Sequence, residues 1–179
     1  NGLARTFNAS AARVKGLEAD LAAVPLDGLT LRLAGTYLDG EYTRFPGAPR
    51  FVPNPTTTGA VATAIDGKGL DTLRTPKLSG TFSLDYVVPI SIGSLRFSGN
   101  VYHTSSYWVD AGNSYKQPGY DLVGGSVGWT SSDETYDLTL WTRNLLGKKY
   151  CDRVQASTNG FSCGPGEPMT VGVTGRVRI

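Results

Sequence analysis

The sequence predicts an all-β chain whose antiparallel strands cross a membrane as one stretch of a larger β-barrel wall. Three observations predict it: period-two alternation along the long segments, strands about twice the ordinary length, and an ordered sequence of short and long connections.

The alternation is cleanest from Lys77 to Tyr102. Leu78, Gly80, Phe82, Leu84, Tyr86 and Val88 form an apolar, small or aromatic face against Lys77, Ser79, Thr81, Ser83 and Asp85. Beyond a tight connection at residues 89–93, Leu95, Phe97, Gly99 and Val101 oppose Arg96, Ser98, Asn100 and Tyr102. Successive side chains in a strand point to opposite faces, so this is a strand pair with one apolar and one polar face. Ordinary strands run about 5–6 residues. These two sustain about a dozen each, which at a tilt of roughly 40° covers an apolar band about 25 Å tall.

Seven such strands follow in order. The first, residues 12–24, sets Leu17, Ala19, Leu21 and Ala23 against Gly16, Glu18, Asp20 and Ala22, and ends in the turn residues Pro25, Leu26, Asp27 and Gly28. The second, residues 29–43, sets Leu29, Leu31, Leu33 and Tyr37 against Thr30, Arg32, Ala34 and Thr36, and opens into a Pro-, Gly- and Thr-rich loop over 44–75. The third and fourth are the pair just described, and a medium loop over 109–118 follows them. The fifth, residues 119–130, sets Val123, Val127 and Trp129 against Gly124, Ser126, Gly128 and Thr130. After a short turn at 131–133 the sixth, residues 134–145, sets Tyr136, Leu138 and Leu140 against Asp137, Thr139 and Arg143. A long loop then leads to the seventh, residues 169–179, where Met169, Val171, Val173, Val177 and Ile179 oppose Thr170, Gly172, Thr174, Arg176 and Arg178.

The short turns all fall at one end of the sheet and the longer loops at the other, as in outer-membrane barrels with periplasmic turns and external loops. Tyr86, Trp129 and Tyr136 lie near the short-turn end, and Tyr37, Tyr42, Tyr107, Trp108 and Tyr150 near the loop end, as two interfacial girdles would. Single-chain bacterial barrels close with an even number of strands, and an open edge in lipid leaves backbone groups unpaired. Seven strands are therefore expected to be one segment of a larger barrel. Assembly with other chains, or an eighth strand from residues 3–8, is the lesser alternative.

Composition fits this reading. The chain has 179 residues, a mass of 19.0 kDa, a net charge of +2 and a pI near 8.6. Its basic residues are scattered, so nothing points to nucleic acid as a partner. No apolar run reaches the roughly 18 residues of a spanning helix. The chain begins in mid-pattern at Asn1, Gly2 and Leu3 with no signal peptide, so an N-terminal portion is expected upstream. Cys151 and Cys163 flank a polar, Gly-rich stretch, and their spacing suits a loop-closing disulfide in an oxidising compartment. With His103 as the sole histidine and no second cysteine pair, no metal site is expected.

The run Leu140, Trp141, Thr142, Arg143, Asn144, Leu145, Leu146, Gly147, Lys148, Lys149, Tyr150, followed by Gly166, Glu167, Pro168, Met169, Thr170, Val171, Gly172 and Val173, resembles the C-terminus of TonB-dependent outer-membrane receptors. In that family an Asn-Leu-x-x-Lys-x-Tyr segment leads into the last external loop, and a Gly-x-Pro opens the final strand. The segments Val14 to Glu18 and Gly35 to Tyr42 are similar to the family's earlier strands. Two departures stand out. The chain ends in Ile179 where the family's insertion signal ends in an aromatic residue, so residues follow or the signal is atypical. Met169 stands where the family often has arginine.

The resemblance implies a barrel of about 22 strands of which this chain gives the last seven. A plug domain and an energy-coupling box would lie upstream, outside this sequence. It further implies the bacterial outer membrane as location, its lipid as a partner, and active import driven through the TonB complex without chemistry on the substrate. Ferric siderophores are the default substrate by family frequency, ahead of haem, cobalamin and carbohydrates. No cofactor is implied.

Catalytic chemistry is not expected. His103 sits in a strand pattern without a Gly-x-Ser-x-Gly turn, and the residues Gly164, Pro165 and Gly166 lack the lysine and helix of a phosphate loop. Glu18, Asp20, Asp85 and Asp137 are expected to face a lumen with Lys77, Arg96, Arg143, Arg176 and Arg178, in polar networks against a plug or water. Substrate contact is expected from the outer loops and upper lumen: Arg44, Arg50, Tyr107, Trp108, Tyr115, Lys116 and Arg153, because aromatic rings and cations suit planar anionic chelates. Two rival readings are a soluble secreted all-β ligand-binding module with a disulfide-clamped loop, and an outer-membrane barrel enzyme, for which no Ser/His or carboxylate centre assembles in the sequence.

Overall fold

Long two-faced segments satisfy their backbone by pairing with one another, and the short turns make neighbours in sequence neighbours in space. The computed structural model describes residues 11–157 and 159–178; residues 3–8 and Ile179 lie outside the described residues. Seven strands form one antiparallel meander: β1 (Ala11–Leu26), β2 (Leu29–Arg44), β5 (Leu78–Ile90), β6 (Gly93–Thr104), β9 (Tyr120–Ser131), β10 (Tyr136–Arg143) and β13 (Thr170–Val177). Among the described residues β1 and β13 each pair on one side only, so the sheet is an open strip of wall.

Register turns the alternation of each strand into continuous rows across the sheet. One row runs Leu29, Tyr86, Phe97, Val127, Leu140, Val173, and a second runs Leu21, Leu33, Phe82, Val101, Val123. The opposite face carries Thr30, Asp85, Ser98, Ser126, Trp141 and Gly172 in one line. On the apolar face Leu21, Leu33, Phe82, Phe97, Leu140 and Val173 are all exposed. Burying each such side chain is worth about 1.5–3 kcal/mol, so a soluble module of this fold would forgo the gain on every strand. A hydrocarbon solvent removes the conflict.

The buried cluster lies instead in the loops above the sheet. Tyr42, Phe45 and Ala48 pack together with Ile65, Leu70 and Ala111. This corrects part of the aromatic expectation. Tyr42 is buried in that cluster, and Tyr107, Trp108 and Tyr150 sit among the loops, so of the five residues expected at the outer girdle Tyr37 is the one on the apolar face. At the short-turn end Tyr86, Trp129 and Tyr136 all share the apolar face, as expected.

The long loops are also more regular than expected. Each folds into a hairpin of its own: β3 (Pro46–Pro53) with β4 (Ala60–Asp66), β7 (Tyr107–Trp108) with β8 (Lys116–Gln117), and β11 (Cys151–Ser157) with β12 (Gly160–Pro165). Cys151 and Cys163 form a disulfide between β11 and β12, with a Cα–Cα distance of 5.3 Å.

Candidate functional site

The three hairpins roof the outer end of the sheet, and two of them are braced together. Asp110 organises the middle loop by accepting from Ser114 N (3.0 Å), Ser114 Oγ (2.8 Å) and Tyr115 N (2.9 Å). That loop then grips the first one. Arg50 Nε donates to Gly112 O (2.9 Å), Phe51 N to Ser114 Oγ (2.8 Å), Trp108 Nε1 to Asp71 Oδ2 (3.1 Å), and Asn113 Nδ2 to Asp71 O (3.0 Å). The β11–β12 hairpin is joined to them through aromatic rings. Phe161 at its tip stacks on Tyr115 at 5.1 Å between centroids and meets Phe51 edge-on at 6.3 Å.

Beneath this roof a cavity of about 250 Å³ lies at the top of the polar face, lined by Arg74, Tyr102, Tyr107, Tyr120, Cys151 and Asp152 among others. Tyr120 stacks on Tyr150 at 4.6 Å and lies 6.2 Å from Tyr102. Arg74 is held in a left-handed backbone conformation, φ 53°, by a bond from its N–H to Trp108 O (2.6 Å). Burial raises the Tyr107 phenol above its ordinary value, and Tyr102 beside it adds to the shift. The cavity thus brings phenol rings and hydroxyls together with one guanidinium, Arg74, and one carboxylate, Asp152.

The seven residues expected to touch substrate separate in space. Tyr107 lines the small cavity, and Tyr115 lines a neighbouring open one of about 680 Å³. Trp108 is braced by Asp71, with Lys116 Nζ 5.3 Å from the centre of its ring. Arg50 is half-buried and works as a brace. Arg44 is exposed at the end of β2, and Arg153 is exposed with Nε 3.9 Å from Asp152. Arg74, Tyr102, Tyr120 and Tyr150 escaped the sequence reading. Tyr102 and Tyr120 were within reach of it, because both fall on the polar face at the loop end of long strands; Tyr150 reads as a girdle aromatic closing the Asn-Leu-x-x-Lys-x-Tyr run rather than as a site residue, and Arg74 carries no pattern.

Elsewhere on the polar face Asp85 and Asp137 are held by hydroxyls, whereas Glu18 and Asp20, expected in polar networks, make no side-chain hydrogen bond or ion pair among the described residues. Asp85 accepts from Ser98 (2.6 Å) and Asp137 from Thr130 (3.0 Å), while Arg143 pairs with Glu167 (3.3 Å) and Arg178 with Glu134 (3.1 Å). His103 pairs with Asp121 at 2.7 Å on the apolar side, at its outer margin, in register with Gly80. Among the described residues no group of three or more His, Cys, Asp or Glu side chains assembles as a metal site.

Residues 1–145 match the family described as TonB dependent receptor-like, beta-barrel. The fold is similar to the ferric yersiniabactin uptake receptor FyuA from Yersinia pestis, with a TM-score of 0.74 and 17% identity over 93% of this chain and 23% of that one. It is similar to the siderophore receptor PiuA from Acinetobacter baumannii, with a TM-score of 0.69 and 20% identity over 92% and 21% of the two chains. It is also similar to BauA, the ferric preacinetobactin receptor of Acinetobacter baumannii, at 0.65 and 22% over 92% and 22%. The chain therefore spans less than a quarter of the length of these receptors.

Proposed function

The chain belongs to the TonB-dependent receptor β-barrel family, and on that footing we propose that it forms the C-terminal barrel segment of a receptor importing a ferric siderophore. The barrel sits in the bacterial outer membrane, its apolar face against lipid and its polar face lining a lumen. A plug domain encoded upstream fills that lumen, and the TonB complex drives transport through the part of the receptor outside this sequence. The segment's share is mechanical and electrostatic: it supplies wall, roof and part of the outer binding surface, and it performs no chemistry on the substrate.

The observation that carries the reading is the apolar face that runs across all seven strands, with aromatic rings of the loops gathered at one end of the polar face. The cavity of Tyr102, Tyr107, Tyr120, Arg74 and Asp152 is read as part of the chelate-binding surface: its rings can stack on planar ligand groups and its guanidinium can meet negative charge, with the Asp152 carboxylate keeping the lining of mixed charge. Trp108 and Lys116 extend that surface outward.

The test uses the full receptor in cells lacking other iron-uptake receptors. Growth on a ferric siderophore is expected to require the receptor and an active TonB complex, and growth independent of TonB would refute the import reading. Trp108→Ala is expected to weaken binding of the ferric ligand about tenfold, as loss of an aromatic contact does, without lowering receptor abundance in the membrane. Unchanged affinity removes Trp108 from the binding surface.

A further inference from the structure

The smaller cavity under the roof suits a metal ion better than a whole organic chelate. Its volume of about 250 Å³ falls below the roughly 300–1,000 Å³ that encloses a drug-sized organic ligand. Its lining gathers oxygen donors: the phenols of Tyr102, Tyr107 and Tyr120 and the carboxylate of Asp152. Tyr107 is the hub of the group, because Tyr102, Tyr120, Arg74 and Asp152 all act on the charge of its phenol.

The parts are held in different ways. The Tyr120 ring stacks on Tyr150 at 4.6 Å, and Tyr150 is seated on Gly166, where a Cβ would collide with the ring. Arg74 is kept in a left-handed conformation, φ 53°, which costs any residue but glycine and is typical of residues held for a function. Among the described residues its guanidinium makes no ion pair. Asp152 is exposed and holds Arg153 only loosely, with Nε at 3.9 Å, so its carboxylate is open to a stronger cation.

Charge decides what such a lining takes. Phenolate and carboxylate are hard oxygen ligands, and a bound cation displaces the phenol protons that the cavity otherwise retains. Two phenolates and one carboxylate match a charge of 3+. The Arg74 guanidinium is then left to hold one small anion in the ion's remaining positions. A zinc-type ion finds neither imidazole nor thiolate in this lining, whose one cysteine is in the disulfide.

We propose that this cavity binds the ferric ion itself, presented by a chelate that leaves coordination positions open. The ligands are the phenolates of Tyr107 and Tyr120 and the carboxylate of Asp152, with a hydrogencarbonate or carboxylate anion held beside them by Arg74. Two iron–phenolate bonds form as two phenol O–H bonds break, the protons pass to solvent, and the iron stays ferric. The inference rests on the import reading for its supply of iron.

The full receptor in detergent is titrated with ferric nitrilotriacetate in hydrogencarbonate buffer and followed by visible absorbance and resonance Raman scattering. A saturable phenolate-to-iron charge-transfer band is expected. Tyr107→Phe and Tyr120→Phe are each expected to weaken the band and to lower iron affinity about tenfold or more. Arg74→Gln is expected to remove the band's dependence on hydrogencarbonate, and a dependence that persists overturns the anion's place on Arg74. A wild-type receptor that gives no band overturns the proposal whatever the variants do. So does a band at full strength in the double variant Tyr107→Phe, Tyr120→Phe. TonB-dependent growth on a ferric siderophore without such a band removes this site and leaves import intact; a band without that growth sinks the import reading and leaves the site.

Discussion

At Gly172 the strand has no side chain because the Trp141 indole occupies that place: a Cβ there would lie 2.3 Å from the ring. The indole then donates to Thr174 Oγ1 (3.1 Å) and lies 5.2 Å from the Arg143 guanidinium carbon. Gly172→Val is expected to displace the ring and destabilise the receptor by about 1–3 kcal/mol, the usual cost of overpacking. Unfolding temperature and tryptophan emission would both change, and an unaltered emission spectrum contradicts the account. Tyr107 gives a pH prediction of known sign. Burial favours its neutral phenol, so its contribution to stability is complete below the ordinary phenol value and is lost as pH rises through the raised one. The difference in phenolate absorbance between wild type and Tyr107→Phe is therefore expected to develop above pH ~10. Development at lower pH would mean that the phenol is solvated.

The β11–β12 hairpin shows what the element scale adds. Its backbone ladder is short, and the disulfide closes a loop whose restraint is worth about 3 kcal/mol in the chain-entropy picture. With both cysteines changed to serine, trypsin is expected to cut after exposed Arg153 much faster while the membrane strands stay intact; equal cleavage rates would show that the aromatic contacts of Phe161 suffice. The seven wall strands were legible because lipid on one face and a polar lumen on the other impose a period of two on every residue. The roof hairpins were not. Pro46, Pro49 and Pro53 punctuate β3, and strands above the membrane have no two-solvent boundary to imprint alternation. The same difference explains Tyr42. Tyr42 falls in phase with Thr30, Arg32 and Thr36 on the polar side of β2, not with Tyr37, and its ring packs into the Phe45 and Ala48 cluster.

For the molecule as a whole, the order of connections was legible before side-chain geometry was. The long connections fold into hairpins at one end of the sheet, and of the seven expected substrate residues Tyr107, Trp108, Tyr115 and Lys116 lie in one braced loop there while Arg44, Arg50 and Arg153 lie apart from it. Which of them share a cavity depends on contacts between loops far apart in sequence, such as Arg50 with Gly112 and Phe51 with Phe161, and no local pattern encodes those. The central claim is that the face of Phe82, Phe97 and Leu140 meets lipid and the face of Ser83, Ser98 and Thr139 meets the lumen. Spin labels placed singly at these six positions in the full receptor, reconstituted in vesicles, test it most directly. Labels at the first three are expected to collide with oxygen dissolved in the bilayer and to be shielded from a water-soluble nickel chelate, and labels at the second three to show less oxygen contact. The same accessibility on both faces, or alternation in the opposite phase, would contradict the account.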